Sequence, residues 1–292
     1  MIGYKHILAV VDTRPSSRYA LNKALILSAR AQAKLTLLEV TPKGSLLTRL
    51  TQPNSDANPF IIYEDLLAQY RKQGVEVAIK TRLNNRLSRA ILDELEQDNY
   101  DLVILNYQHH NPLFHKFSFA DEWRLLRESD VAVMLVGAHD WEEEGHILTA
   151  IETDDSSRKH TDFNRKLLEE TEHLARLLDN DIHLLNCFQE QNLSMAVTQP
   201  KEEQQALNEE SRHWMSLVDS AKPYHLEDSH LHLEEGLADH IIPDMAKRYR
   251  ANVVILGSGE HHGLLSQLKG HTSEQIIDQL NCDIFAIKPA SV

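Results

Sequence analysis

The segment His6-Ile7-Leu8-Ala9-Val10-Val11-Asp12 returns later in the chain as His146-Ile147-Leu148-Thr149-Ala150-Ile151-Glu152. A second pair keeps the same shift of 140 positions, because Ser16-Ser17-Arg18 returns as Ser156-Ser157-Arg158. A shared register of this kind is the signature of an internal repeat. The sequence therefore predicts two copies of one unit, joined by Trp141–Gly145 as a polar linker that ends in glycine.

Two further segments repeat towards the end of each copy. DLVILN at 101–106 matches NVVILG at 252–257, and VAVMLV at 131–136 matches DIFAIK at 283–288. The shift between the copies has grown by about a dozen residues at this point, which indicates small insertions in the second copy.

Within each copy, short β-branched apolar runs alternate with longer segments of helical periodicity. This pattern is typical of βαβ units, which build a parallel sheet covered by helices. We predict an α/β fold of two tandem domains, residues 1–140 and 145–292, each a five-stranded parallel sheet sandwiched by helices. The predicted strands lie near 5–11, 34–40, 75–80, 101–106 and 131–136, and near 145–151, 181–187, 230–234, 252–257 and 283–288. The predicted helices lie near 15–32, 58–73, 87–97 and 120–128, from Ser156 to about Leu178, and over Lys201–Ser220.

The composition is that of a folded, acidic protein. The 292 residues are 42% hydrophobic and 25% charged, with a net charge of −14. Phosphate contacts require clustered Lys and Arg, so we expect no nucleic-acid partner. The apolar runs are shorter than the roughly 20 residues that span a bilayer, so we expect no membrane partner and a cytoplasmic location. The two cysteines, Cys187 and Cys282, lie in separate apolar segments, which argues against a disulfide framework.

Several segments resemble the universal stress proteins, and among them the tandem E-type members. They are EEGL at 234–237, IPDMA at 242–246, VVILG at 253–257, TSEQIIDQL at 272–280 with IKP at 287–289, and DEWRLLR at 121–127. The resemblance covers nearly the whole chain. It implies the universal stress protein fold, which is like that of the adenine nucleotide alpha hydrolases, and a role in the stress response.

ATP-binding members of that family carry a glycine motif after strand four, in which Gly, two residues, Gly, nine residues and Gly precede Ser or Thr. The resemblance implies cofactor-binding positions in the second copy at Glu152, Gly257, Gly263, Gly270 and Ser273. Glycines let backbone N–H groups approach phosphates, and the acidic residue would face the ribose at the crevice of the sheet.

The second copy departs from this motif at two positions. Glu260 stands where the middle glycine belongs, and His271 replaces the Ser or Thr. A carboxylate near a triphosphate adds repulsion, which neighbouring His and Lys side chains would partly offset. ATP is therefore a candidate ligand of the second copy, and glycines serving turn geometry alone are the alternative.

The first copy has no glycine after its fourth strand. NYQHHNP at 106–112 takes that place, and Pro112 lacks an N–H group altogether. Asp12 keeps the acidic position, where a helix cap is the simpler interpretation. We therefore predict that any small molecule at the strand-one crevice binds in the second copy, and that the first copy is structural or dimerising.

The chain contains 17 histidines, and some of them are close in sequence. His230 and His232 would share one face of a strand, and further groups lie at 109–115 and 261–262. Because no third ligand stands at a recognisable spacing, we predict no metal site and place these side chains at surfaces or interfaces. No motif for a catalytic nucleophile or a Walker A loop is present, so we expect at most weak ATPase activity.

Three functions follow from these observations. The leading hypothesis is a non-catalytic binding or regulatory protein of the stress response, whose partners are proteins or a small molecule. Its two halves would pack through their last strands as an intramolecular pseudo-dimer, with a homodimer left open. The first alternative is an ATP-binding switch with slow or no hydrolysis through the second domain. The second alternative is a carrier of a lipid-like molecule, suggested by LSMAV at 193–197.

Overall fold

The computed structural model describes residues 3–11, 17–41, 63–84, 86–107, 119–153, 157–189, 201–258 and 279–288, without the side chains of 119–123 and 201–208. The chain divides into two compact units, Met1–Asp140 and Trp141–Val292. Each unit is built on a parallel sheet.

The described residues of the first unit form five strands and four helices. Its strands pair in parallel in the order β3-β2-β1-β4-β5. The register sets Ile7 of β1 beside Leu35 on one neighbour and Leu102 on the other. In chain order the elements are β1 (His6–Val11), α1 (Ser17–Ala31), β2 (Lys34–Thr41), α2 (Glu64–Lys72), β3 (Val77–Leu83), α3 (Leu87–Leu95), β4 (Leu102–Asn106), α4 (Phe119–Glu128) and β5 (Ala132–Val136).

The described residues of the second unit repeat this topology. The strands pair in parallel in the order β8-β7-β6-β9-β10. Thr149 on the central strand lies beside Leu184 on one side and Ile255 on the other. The elements are β6 (His146–Ala150), α5 (Arg158–Leu178), β7 (Asp181–Phe188), α6 (Lys201–Ala221), β8 (Leu231–Glu235), α7 (Ala238–Arg248), β9 (Ala251–Gly257) and β10 (Asp283–Ile287).

The central strands carry the core of each unit. All six residues of β1 are buried, and so is every residue of β9. A parallel strand that is covered on both faces reads as a continuous apolar run rather than an alternating one. This is why HILAVV of β1 and ANVVILG of β9 are short, mainly apolar runs in the sequence.

The predicted fold class is confirmed, and the strands begin and end within one residue of the predicted positions, with β3 as the exception. It begins at Val77 rather than at 75 and continues to Leu83. The second half of β3 lacks an apolar pattern, because Lys80 and Arg82 stand in it. These two side chains bind the buried carboxylate of Glu94 on α3. Apolar periodicity therefore ended before the strand did.

The sequence did not predict helix α7, which contains Pro243. A proline inside a helix removes one backbone hydrogen bond and usually ends the helix. Here Pro243 is buried, together with Ile242 and Met245 on the same helix. Burial of this apolar face offsets the lost hydrogen bond, and the helix continues through the proline.

The residues predicted as a linker are attached to the second unit. Trp141 donates its Nε1–H to Oδ2 of the buried Asp283, over 2.8 Å. The backbone N–H of Glu142 donates to Oδ1 of Asn252 over 2.9 Å, and Nδ2 of Asn252 donates to the Glu142 carbonyl over 2.9 Å. These bonds hold the backbone that leads into β6 against the second unit.

Candidate functional site

Two of the predicted site residues lie at the carboxyl edge of the second sheet. Because β6 and β9 are parallel neighbours with Thr149 beside Ile255, Glu152 and Gly257 both follow at the ends of these strands. This is where the strand order of the sheet reverses, the usual place for a ligand in an open α/β sheet. The backbone N–H of Ser258, the next residue, donates to the Ile287 carbonyl of β10 over 2.8 Å.

The other predicted positions lie outside the described residues. These are Gly263, Gly270 and Ser273, with Glu260 and His271 of the same motif, Asp12 of the first copy, and the LSMAV segment at 193–197. The nucleotide and lipid hypotheses stay predictions for this reason.

The start of helix α5 is tied to the segment that follows β6. The carbonyl of Glu152 accepts hydrogen bonds from Nε2 of His160, at 2.9 Å, and from Nδ2 of Asn164, at 2.7 Å. Ser157 caps the helix, with its hydroxyl accepting from the backbone N–H of His160. Glu152 therefore has a fixed position relative to the first two turns of α5.

A cleft of about 580 Å³ opens beside Glu152. It lies between α5, the second half of α6 and the turn that follows α6. Tyr224 bridges these elements, because its hydroxyl donates to the Arg165 carbonyl over 3.2 Å. Burial raises the pKa of Tyr224, with the charges of Glu169 and Glu172 as further causes, so the phenol stays protonated near neutral pH. The lining residues are Glu152, Thr153, Thr161, Asn164, Arg165, Leu168, Glu169, Ser216, Asp219, Ser220, Pro223 and Tyr224.

The cationic groups at this cleft are paired with carboxylates. Nη1 of Arg165 lies 2.7 Å from Glu169, and its Nη2 lies 3.3 Å from Asp162. Lys222, next to the lining, donates to Asp219 over 2.6 Å. These carboxylates compete with a phosphate for both cations and partly neutralise their charge. The lining of the cleft combines hydroxyl and carboxylate groups with the apolar side chains of Leu168 and Pro223.

Thr153, Asn186 and His213 form a hydrogen-bond network at the inner end of this cleft. The hydroxyl of Thr153 lies 2.8 Å from Nδ1 of His213 and 3.1 Å from Oδ1 of Asn186. Nδ1 of His213 also lies 3.1 Å from the same oxygen. Nδ2 of Asn186 donates to the Ile151 carbonyl over 3.0 Å, which fixes the orientation of the amide.

The positions of the protons in this network determine whether it can activate the Thr153 hydroxyl. An amide oxygen only accepts, so the Thr153 hydroxyl and Nδ1–H of His213 both donate towards Asn186. His213 then carries its proton on the nitrogen that faces Thr153, and it cannot remove the hydroxyl proton through that nitrogen. The network holds α6 against β7 and orients Thr153 towards the cleft, and it does not activate a nucleophile.

At the corresponding edge of the first unit, the described residues at the end of β4 have buried side chains. Asn106 ends β4, Tyr107 follows it, and both are buried. Within the described residues, neither Oδ1 nor Nδ2 of Asn106 has a hydrogen-bond partner. A second cavity, of about 550 Å³, lies in this unit between β3 and α3, and none of its lining residues belongs to β1 or β4.

Two further searches cover only the described ranges. No group of three or more His, Cys, Asp or Glu side chains among them is arranged to hold a metal ion. No helix within those ranges has the length and apolarity to span a membrane. Of the histidine groups in the sequence, those at 109–115 and 261–262 lie outside the described residues.

The fold and the cleft define a tandem protein of two parallel α/β units with a ligand-sized site at the carboxyl edge of the second sheet. The model of the universal stress protein family matches residues 3–137 and 146–288. The chain belongs to the universal stress protein family.

Relatives of similar length align over nearly the whole chain. Universal stress protein E of Escherichia coli K12 is 27% identical over 99% of this chain and 95% of its own length. The universal stress protein E homolog of Haemophilus influenzae is 26% identical over 98% of both chains. The resemblance to the E-type members is confirmed by these matches.

Solved structures show the same fold. A functionally unknown protein from Pseudomonas aeruginosa PAO1 superposes with a TM-score of 0.75 at 23% identity, over 98% of this chain and 93% of its own. A universal stress protein from Archaeoglobus fulgidus gives a TM-score of 0.62 at 16% identity, over 98% and 97%.

Proposed function

We propose that the chain serves the stress response as a non-catalytic binding protein that takes up a small molecule in the cleft beside Glu152. The family name implies the stress-response role. The cleft carries the binding proposal, because its volume of about 580 Å³ falls in the range of roughly 300–1,000 Å³ typical of small-molecule sites. The hydrogen-bond network of Thr153 supports binding over catalysis. The Thr153 hydroxyl donates to the amide oxygen of Asn186, which is too weak a base to remove its proton.

The lining favours a neutral or cationic ligand that carries hydroxyl or amino groups. Carboxylates of Glu152, Glu169 and Asp219 accept hydrogen bonds and repel phosphates, while the Arg165 guanidinium is already paired. Leu168 and Pro223 provide an apolar surface for the body of such a ligand.

A thermal-shift panel tests this proposal. The probes are spermidine as a cation, adenosine and trehalose as neutral compounds, and ATP with Mg²⁺ as an anion. A compound present at a hundred times its Kd stabilises the folded chain by about 2.7 kcal/mol. We expect a shift with a cationic or neutral probe that exceeds any shift with ATP.

A matched pair of variants locates the site. Ser216→Trp fills the cleft, whereas Met215→Trp adds the same side chain at an adjacent position that is 64% exposed. Only Ser216→Trp should abolish the shift. If Ser216→Trp binds the probe as the unmodified chain does, the ligand lies elsewhere and the cleft proposal is wrong.

The ATP-binding alternative rests on Gly257, which ends β9 beside the segment of Glu152. It predicts that ATP with Mg²⁺ stabilises the chain, and that Gly257→Val or Gly270→Val removes this effect. Ser216→Trp would leave ATP binding intact, so the two sites are distinguishable. The absence of any shift at millimolar ATP would end this alternative.

A further inference from the structure

Three histidines and a tyrosine form a continuous chain of contacts in the second unit. Nδ1 of His183 lies 2.9 Å from Nε2 of His232, and Nε2 of His183 lies 3.1 Å from Nδ1 of His146. The hydroxyl of Tyr249 lies 3.5 Å from Nδ1 of His232. The imidazole chain is the name we give to His146, His183, His232 and Tyr249.

The imidazole chain joins three strands to helix α7. His146 begins β6, His183 and His232 lie near the amino-terminal ends of β7 and β8, and Tyr249 follows α7. The Tyr249 ring stacks on both inner imidazoles, with centroid distances of 4.2 Å to His183 and 4.5 Å to His232. The group therefore lies at the opposite edge of the sheet from Glu152 and is separate from the cleft.

Hydrogen bonding limits how many protons the imidazole chain can hold. A neutral imidazole has one N–H donor and one acceptor nitrogen, and His183 and His232 use both nitrogens. The donors must then all point in one direction along the chain. One extra proton can be accommodated, because the doubly protonated ring donates to both neighbours and the N–H groups on its two sides then point away from it. A second extra proton on any of the three rings places two N–H groups against each other.

Burial and neighbouring charges further disfavour protonation of His183 and His232. His183 is 4% exposed and His232 is 9% exposed. Burial lowers the pKa of His183 to about 4, with His232, His146 and His230 as further causes. Burial also lowers the pKa of His232 to about 4, followed by the charges of His230 and Arg248. The charged or titratable groups around the rings are Asp181 on β7, His230 in the turn before β8, Glu234 on β8, and Arg248 on α7.

We infer that the imidazole chain is a proton-sensitive contact, which stabilises the packing of β8 and α7 within the second unit near neutral pH and stabilises it less in mild acid. In the folded unit the rings of His183 and His232 stay neutral near neutral pH, and an unfolded segment exposes these two rings to water at their ordinary pKa of about 6.5. The unfolded segment therefore binds more protons below that value. The stability that the rings contribute is present above about pH 6.5 and is lost as the pH falls towards 4.

Hydrogen exchange of the full chain tests this inference. We expect the amides of Leu231–Glu235 and Ala238–Arg248 to lose protection between about pH 7.5 and pH 5, by on the order of tenfold or more for each ring, after correction for intrinsic exchange. The double variant His183→Phe with His232→Phe keeps flat rings against Tyr249 and should remove most of this dependence. His240→Gln, an exposed position on α7, should leave it unchanged.

Direct titration keeps the inference open to refutation even if the double variant does not fold. In the unmodified chain, the imidazole resonances assigned to His183 and His232 should not titrate until the pH approaches 4. If either ring in the folded chain titrates near the ordinary value of about 6.5, or if protection does not depend on pH, the inference is wrong.

Discussion

The hydroxyl of Thr153 lies 2.8 Å from Nδ1 of His213, and both groups donate to Oδ1 of Asn186. Three segments far apart in sequence meet in this network: the end of β6, the middle of β7 and helix α6. The Asn186 oxygen thus accepts from two donors, while the amide nitrogen of Asn186 donates to the Ile151 carbonyl.

Removing the Asn186 amide should cost more stability than removing the Thr153 hydroxyl. Asn186→Leu leaves the His213 N–H and the Ile151 carbonyl without this partner, and we expect a loss of about 2–3 kcal/mol. Thr153→Val keeps the bond between His213 and Asn186, and we expect a loss of about 1 kcal/mol. Urea unfolding of the second unit measures both. Equal losses would contradict the assignment of the Asn186 amide as the shared acceptor of Thr153 and His213 and the donor to the Ile151 carbonyl.

Glu94 is a charged position of the first unit where substitution should be strongly destabilising. It is fully buried and accepts hydrogen bonds from Lys80 at 2.6 Å, Arg82 at 2.8 Å and Tyr100 at 2.8 Å. Glu94→Gln removes the counter-charge of two partly buried cations and should cost about 3 kcal/mol. Asp93→Asn is the control, because its ion pair with Arg89 is exposed and should contribute less than about 0.5 kcal/mol.

The pH dependence of Glu94 follows from its environment. Burial alone would raise its pKa, but hydrogen bonds from Lys80, Arg82 and Tyr100 outweigh burial, and the pKa is lowered. A carboxyl group of this kind adds stability above its ordinary pKa, and that stability is lost in acid. The difference in unfolding free energy between Glu94→Gln and the unmodified chain should therefore shrink as the pH falls below 4.5. A difference that grows in acid would contradict this.

Gly145 should not tolerate a side chain. A Cβ atom there would lie 2.7 Å from Cγ of Asn252 and would overlap its Nδ2 atom. Gly145→Ala must displace Asn252 from the Glu142 backbone, which should cost about 1–3 kcal/mol. At Gly3 no described atom lies within 4 Å of the Cβ position, so Gly3→Ala is the control. Thermal melting that shows the same effect for both would mean that the packing at Asn252 is loose.

Most of the fold could be predicted from apolar periodicity, since central parallel strands are continuous apolar runs with turn signals at their ends. Apolar periodicity did not predict the structure where ion pairs or the burial of a helix face determine it. Strand β3 continues past its apolar residues because Lys80 and Arg82 pair with Glu94. Helix α7 continues through Pro243 because its apolar face is buried.

The candidate site could be predicted only in part. The repeat identified Glu152 at the end of β6, but His213 lies 60 positions from Thr153, and only the fold brings them together. One signal was available in the strand sequence DIHLLNCF, where His183 and Asn186 interrupt an apolar run. Polar residues buried in a strand need partners, and both of these side chains have them.

Hydrogen exchange of the full chain, with and without each probe of the thermal-shift panel, locates the ligand most directly. For spermidine, adenosine or trehalose, whichever stabilises the chain, we predict added protection in Arg158–Leu178 and Lys201–Ala221 and none in Leu102–Asn106. Asn106→Leu should leave this pattern intact, because binding is placed in the second unit. Protection of Leu102–Asn106, with the two helices unchanged, would contradict the assignment of the ligand to the cleft beside Glu152.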